Sequence, residues 1–216
     1  MDGSRWERLA PLTGVAFAVL AVVGNLLQGT PPDFVDDPQK IVAFYTDNPD
    51  AIALGMNMAL ISLVFLVWFL GSLRRTLLAA EGGDGRLTAV AFGGGLIVTA
   101  MLMAGFAFNA LGALRADEDG TIAPEVAVVL QDGSSILQGL AATMAMVALF
   151  AATAIVTIRF RALPTWLGWA SVLLAVIGLI GPISWTLLLV FPLWVLATSI
   201  VLYQRQPAPA TVDAAT

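Results

Sequence analysis

The 216-residue chain has no cysteine, no histidine and a single lysine beside nine arginines. Without thiols or imidazoles it cannot by itself perform disulfide exchange, build a Cys/His zinc site, ligate haem through histidine or assemble a Ser-His-Asp triad. No resident metal or redox cofactor is therefore expected. A net charge of -5 gives no basic stripe for a phosphate backbone, so nucleic acid is not an expected partner. Charge is also missing from where ion-coupled machines need it. Residues 11–28, 51–73, 87–114 and 134–158 contain no Asp, Glu, Lys or Arg. Proton relays and voltage sensors place such groups inside their spans, so neither is expected here.

What is present is a ladder of apolar runs. A membrane span needs about 20 apolar residues to cross about 30 Å of hydrocarbon. The four runs above meet that length. A fifth stretch, from Leu163 to Tyr203, would make about 60 Å of helix at about 1.5 Å per residue, which is too long for one span and about right for two. Gly181-Pro182 supplies the break, since proline lacks an amide hydrogen and clashes with the preceding turn. The expected fold is all-α: a polytopic six-span bundle forming one domain over 1–204, with spans at 11–28, 51–73, 87–114, 134–158, 166–181 and 183–203, and a disordered cytoplasmic tail from 205 to 216.

Basic residues fall on alternate connections. With the N-terminus inside, Arg5, Arg8, Arg74, Arg75, Arg86, Arg159, Arg161 and Arg205 are cytoplasmic, and only Lys40 and Arg115 are external. Lys and Arg near span ends stay inside, so both termini are expected in the cytoplasm. Acidic residues mirror the pattern: Asp33, Asp36, Asp37, Asp47, Asp50, Asp117, Glu118, Asp119, Glu125 and Asp132 are all external. The first run ends Asn25-Leu26-Leu27-Gln28 without a small-residue cleavage site and has full span length, so it reads as a signal anchor, not a cleaved signal. Arginine in place of lysine, with abundant Ala, Gly and Val, is the composition of a GC-rich bacterial genome, and places the chain in a plasma membrane.

Within the spans lies a layer of amides: Asn25 and Gln28, Asn57, Asn109 and Gln138. Each sits within about two helical turns of the outer end of its span. Steps of three and four align Asn25 with Gly14, Ala18, Ala21 and Gln28. They align Asn109 with Gly95, Gly105 and Gly112, and Gln138 with Ser134, Ala141 and Ala145. Two readings are open. Small-residue faces are where membrane helices pack, with amides bonding across the interface. Alternatively the amides, with Trp185 at the start of the last span, line an outward-facing polar pocket for a lipid, an apolar small molecule with a polar head, or a membrane-protein partner. A homo-oligomer also fits; a small facilitative transporter is the alternative function, and an intramembrane enzyme lacks any nucleophile-base pair.

Two outer connections of about 20 residues carry further signals. In Asp37-Pro38-Gln39-Lys40-Ile41-Val42-Ala43-Phe44-Tyr45 the aspartate is a good N-cap and the proline a good first helical residue. Ile41, Phe44 and Tyr45 share a face, so a short helix lying on the bundle or the interface is expected. The second connection holds Asp117-Glu118-Asp119-Gly120, which lacks the further ligands of a calcium loop and reads as a solvated turn, followed by a helix from Pro124. Glu81-Gly82-Gly83-Asp84-Gly85 reads as a flexible inner turn. Gly93-Gly94-Gly95 lies in an apolar helix with no lysine following and is no nucleotide loop. Trp6, Trp68, Trp166, Trp169 and Tyr203 fall near inner ends, as an interfacial belt would. The runs Asp50 to Arg75 and Asp132 to Arg161 both begin with Asp, carry an amide early and end in arginines, a similarity that fits either hairpin duplication or chance.

The Arg8-Leu9-Ala10 start, the Asp37-Pro38 to Asp50 segment and Leu163-Pro164-Thr165-Trp166-Leu167-Gly168-Trp169 resemble small actinobacterial multi-pass membrane proteins of unknown function. The resemblance implies a six-span bacterial membrane protein. It implies no activity and no site residues.

Overall fold

The computed structural model describes residues 9–205; Arg5, Trp6 and Arg8 at the N-terminus, and the tail after Arg205, lie outside the described residues. Helices and turns account for the described chain, with no strand among them. They are α1 (Thr13–Gln28, entered through a 3-10 turn Ala10–Leu12), α2 (Pro38–Asp47), α3 (Pro49–Glu81), α4 (Arg86–Asp119), α5 (Pro124–Phe160), α6 (Thr165–Leu179) and α7 (Thr186–Gln204). Five of these are long and apolar enough to cross a membrane: α1 with its 3-10 turn, α3, α4, α5 and α7. The sixth apolar helix, α6, is shorter, at 15 residues.

Local chemistry sets the boundaries. Asp37 caps α2, its carboxylate accepting from Gln39 N at 2.9 Å, with Pro38 opening the helix. Gly181–Ile183 forms a 3-10 turn between α6 and α7, which breaks the Leu163–Tyr203 stretch where proline requires it. The turn after α3 is not loose as its glycines suggest. Glu81 accepts from Leu87 N at 2.8 Å, from Thr88 N at 2.7 Å and from the Thr88 hydroxyl at 2.6 Å, so the last residue of α3 caps the first turn of α4. The acidic run differs from expectation too. Asp117, Glu118 and Asp119 are helical, and α4 stops only at Gly120, whose φ of 68° is open to glycine at no steric cost. The second connection therefore shrinks to a turn, because α5 runs without interruption from Pro124 to Phe160.

That long helix contains a π segment, Leu137–Ala142. One extra residue per turn rotates everything that follows by about 100° relative to an unbroken α-helix. The buried face passes from Ser134 through Ala142, Ala145 and Met146, while Ala141, a step of three from Gln138, is half-buried.

Glycines hold neighbouring helices in antiparallel contact. A Cβ on Gly24 would lie 2.7 Å from Gly55 O, and one on Gly55 would lie 2.6 Å from Gly24 O, so α1 and α3 touch backbone to backbone. Gly94 does the same against Leu149 N of α5 at 2.9 Å, Gly95 against the Leu70 side chain, and Gly178 against Val147. In hydrocarbon the lipid is as apolar as the core, so close van der Waals packing of this kind is what favours assembly. The antiparallel run collects Asp33, Asp36, Asp47, Asp119 and Asp132 at one end of the bundle, and Arg74, Arg75, Arg86, Arg159, Arg161 and Arg205 at the other. These are called the acidic end and the arginine end below.

Candidate functional site

A cavity of about 820 Å³ lies in the acidic half of the bundle, between α1, α4, α5 and the start of α7. Asn25, Gln28, Asn109, Gln138 and Trp185 all border it. Asn57 does not. It is exposed on α3, whose buried face runs through Ile52, Met56, Ala59 and Leu63, and it has no partner among the described residues. Five of the six expected residues therefore border one cavity, and the rotation of α3 about its axis turns the sixth outward. Both faces of α3 are apolar, so nothing in the sequence distinguishes which one the bundle covers.

At the end of α1, Gln28 donates to Asn25 Oδ1, three residues back. Gln28 is nine-tenths buried, and its own Oε1 has no partner among the described residues. Leaving such an acceptor unmatched costs about 1–3 kcal/mol. On the facing helix Gln138 donates to the Ser134 hydroxyl at 2.6 Å, and Ser134 donates to Gly105 O at 2.9 Å. Gln138 lies in the π segment, where Thr143 returns its hydroxyl to Gly139 O at 2.7 Å. The small-residue face of α4 is not open space: Gln138 Cγ covers Gly105, and the Tyr45 ring covers Gly112.

Asn109 is buried and belongs to a network with Tyr45, from the short helix expected to lie on the bundle, and with Gln131, which sequence reasoning did not assign to the site. Tyr45, fully buried on α2, donates to Asn109 Oδ1 at 2.8 Å, and Gln131 Oε1 lies 3.4 Å from the same hydroxyl. Burial pushes the Tyr45 phenol well above its ordinary range, so it is a neutral donor. Gln131 donates in turn to Pro32 O at 2.9 Å, and Asp132 accepts from Val35 N at 3.3 Å. The segment between α1 and α2 is thus pinned across the cavity mouth, with Thr30, Pro32 and Phe34 in the wall. Val35 holds a φ of 64°, an uncommon conformation for a β-branched residue. Gln131 was legible only as a polar residue near a helix start. Nothing in sequence spacing tells that a side chain 86 positions away meets Tyr45.

The remainder of the wall is apolar. Phe17, Leu63, Leu102, Phe106, Met146 and Phe191 form the floor. Behind it Phe17 meets Phe191 edge-on at 5.7 Å, and Phe150 meets Trp194 at 5.0 Å. Trp194 is itself fixed by donating to the Ser171 hydroxyl at 3.0 Å. This aromatic cluster closes the cavity towards the arginine end. The mouth has exposed residues on three sides, Asn25, Trp185 and Leu140, so it opens at the side of the bundle as well as its end.

Ionic character is slight. Asp33 is the ionisable residue in the lining, and no Lys or Arg borders the cavity. Nearby, the Lys40 ammonium donates to Asp36 at 3.0 Å, which holds that carboxyl below its usual range and raises Lys40. No group of three or more Asp or Glu side chains among the described residues is arranged to hold a metal ion. The chemistry offered is therefore hydrogen bonding above an apolar floor, with no nucleophile-base pair in the lining.

Comparison with protein-family models, curated proteins and solved structures gives no match to this chain.

Proposed function

We propose that the chain is a six-span protein of a bacterial plasma membrane, with both termini and the arginine end cytoplasmic, that binds an amphipathic molecule through the cavity at its outer half. The ligand has an apolar body and an uncharged, hydrogen-bonding head; a membrane lipid or a lipid-like small molecule has this form. In this reading α6 supplies the sixth crossing and the pinned 29–37 segment lies outside.

The observation that carries the reading is the pairing of a deep apolar floor with a mouth of amides and hydroxyls in one cavity of about 820 Å³. That volume is in the range of sites that bury drug-sized ligands, which are likewise mostly apolar with a few placed polar groups. The amides of Asn25, Gln28 and Gln138 and the hydroxyl of Ser134 in the lining support a head that exchanges hydrogen bonds. The absence of a basic side chain from the lining supports an uncharged head, since an anion drawn into this wall would meet Asp33 and no counter-ion. The aromatic closure towards the arginine end favours a binder over a facilitative transporter.

Trp185 at the mouth provides the probe. A brominated monoacylglycerol, which has an uncharged hydroxylated head, should quench Trp185 fluorescence saturably in detergent micelles. A brominated fatty acid of the same chain length at neutral pH should quench it only at much higher concentration. The Trp185→Phe variant supplies the background from the other tryptophans. If Trp185-dependent quenching does not saturate for the uncharged probe, or the fatty acid does equally well, the reading is wrong.

A further inference from the structure

We propose that the protein is a parallel homodimer whose two copies meet along the outer face of α3 and join their Asn57 side chains across the interface. The inference stands apart from the cavity reading, because it uses the face of α3 that points away from the cavity.

Asn57 is the starting point. Its side chain is exposed, has no partner among the described residues, and lies eight residues into a helix that is apolar enough to cross a membrane. At about 1.5 Å per residue the amide is about 12 Å from the helix start. Asparagine is too short to reach back to water over two turns, unlike Lys or Arg. An amide left unbonded in hydrocarbon is costly, and polar groups in spans find partners. The neighbouring helices α1 and α4 pack on the other faces of α3 and offer this one nothing.

The surroundings of Asn57 have the form of a helix-helix seam. Leu54, Ile61, Val64 and Trp68 are exposed by 56%, 47%, 51% and 67%. With Asn57 they fall at alternating steps of three and four, which is the a/d spacing of a left-handed two-helix contact crossing at about +20°. The stripe runs from Leu54 to Trp68 and is bounded by the exposed Asp50 near the start of α3 and the exposed Arg75, six residues before its end at Glu81. This confines the contact to the apolar part of α3.

The pattern singles out a second copy as the occupant. Copies inserted in the same orientation are related by a two-fold axis along the membrane normal, which brings each residue on that axis opposite itself at the same depth. An asparagine amide both donates and accepts, so two Asn57 side chains satisfy one another reciprocally. A single asparagine in an otherwise apolar a/d seam is also the device that sets register and two-strand pairing in soluble coiled coils. A lipid tail would cover the apolar residues of this stripe but would leave the amide unbonded.

Because the chain has no native cysteine, single cysteines report the contact directly. Ile61→Cys in native membranes, under mild oxidation, should give a cross-linked band at twice the 22.6 kDa chain mass. Leu173→Cys on α6, exposed by 60% at mid-helix, is the control and should not. Adding Asn57→Leu to Ile61→Cys should weaken dimerisation about tenfold, as expected for two lost interhelical hydrogen bonds, read as energy-transfer efficiency against dilution in liposomes. Asn57→Gln should restore it. Monomeric elution and an unchanged melting temperature for the Asn57→Leu chain separate lost association from lost folding. The proposal fails if Ile61→Cys cross-links no better than Leu173→Cys. It fails equally if the dimer persists undiminished in Asn57→Leu, or if Asn57→Gln does not rescue it.

Discussion

The Tyr45 hydroxyl donates to Asn109 Oδ1 at 2.8 Å, with both side chains buried, and this bond ties the short helix α2 to the wall of the cavity on α4. It is possible because residue 112 is glycine: a Cβ there would lie 2.5 Å from Tyr45 Cε1, so the ring lies flat on the α4 backbone.

From that contact we expect Tyr45→Phe to lower stability by about 1–3 kcal/mol, because Asn109 and Gln131 lose a buried donor. Gly112→Ala should cost about 1–3 kcal/mol by overpacking and should release α2 without touching the hydrogen-bonding groups. Thermal unfolding in detergent measures the loss. Protease susceptibility at the 29–37 segment should rise in both variants, because Gln131 would no longer hold Pro32 from a fixed position.

Helix contacts make a second expectation specific to position. Gly55→Ala puts a methyl 2.6 Å from the Gly24 carbonyl, a backbone atom that cannot rotate away, so it should destabilise by about 1–3 kcal/mol or more. Gly93→Ala meets nothing within 4 Å and should be neutral or stabilising by up to about 1 kcal/mol through helix propensity. Gly94, which meets the backbone of Leu149 and Ala145, should behave like Gly55, and Gly95, which meets only the Leu70 side chain, should cost less. Melting temperatures of the four alanine variants would check this ordering.

Orientation is testable by labelling. If the proposed orientation holds, a membrane-impermeant thiol reagent applied to intact cells should modify Gly120→Cys and spare Gly83→Cys, because the arginines flank the 81–86 turn. The reverse pattern would invert the bundle and move the cavity to the cytoplasmic half.

The pH profile of stability should be flat between about pH 5 and pH 9, because no histidine titrates in that interval and the described buried phenol is pushed upward. Asp36 has a folded value below its unfolded one, so its contribution is present above the unfolded value and lost as pH falls through the folded one. Lys40 is raised, so its contribution is present below its unfolded value and lost as pH rises through the folded one. Melting curves across pH 3–11 should therefore bend only at the extremes.

Asn57 and the π segment mark where sequence reasoning stopped. The π segment leaves no mark in period counting, which aligns Gln138 with Ser134 and Ala145, both buried, and with Ala141, which is half-buried. Sequence reasoning groups Asn57 with the other amides, but Asn57 is on a face the bundle leaves uncovered. Trp194 lies in an apolar run with no polar spacing to mark it, yet its buried bond to Ser171 joins α7 to α6.

The helical class, the break at Gly181-Pro182, the cap at Asp37 and the division of charge between the two ends can all be read along the chain. Each of these is written in local terms: run length against span length, proline geometry, the reach of a side chain to a near backbone amide, and the alternation of connections. Only the tertiary structure decided which face of each helix turns inward, that Tyr45 and Gln131 join Asn109, and that Asn57 does not reach the cavity. The physical reason is that a helix surrounded by lipid is apolar on every side, so hydrophobic periodicity carries no signal of its rotation. That rotation is set by the fit of particular surfaces, Gly24 on Gly55 and Gly112 beneath Tyr45, between residues far apart in the chain.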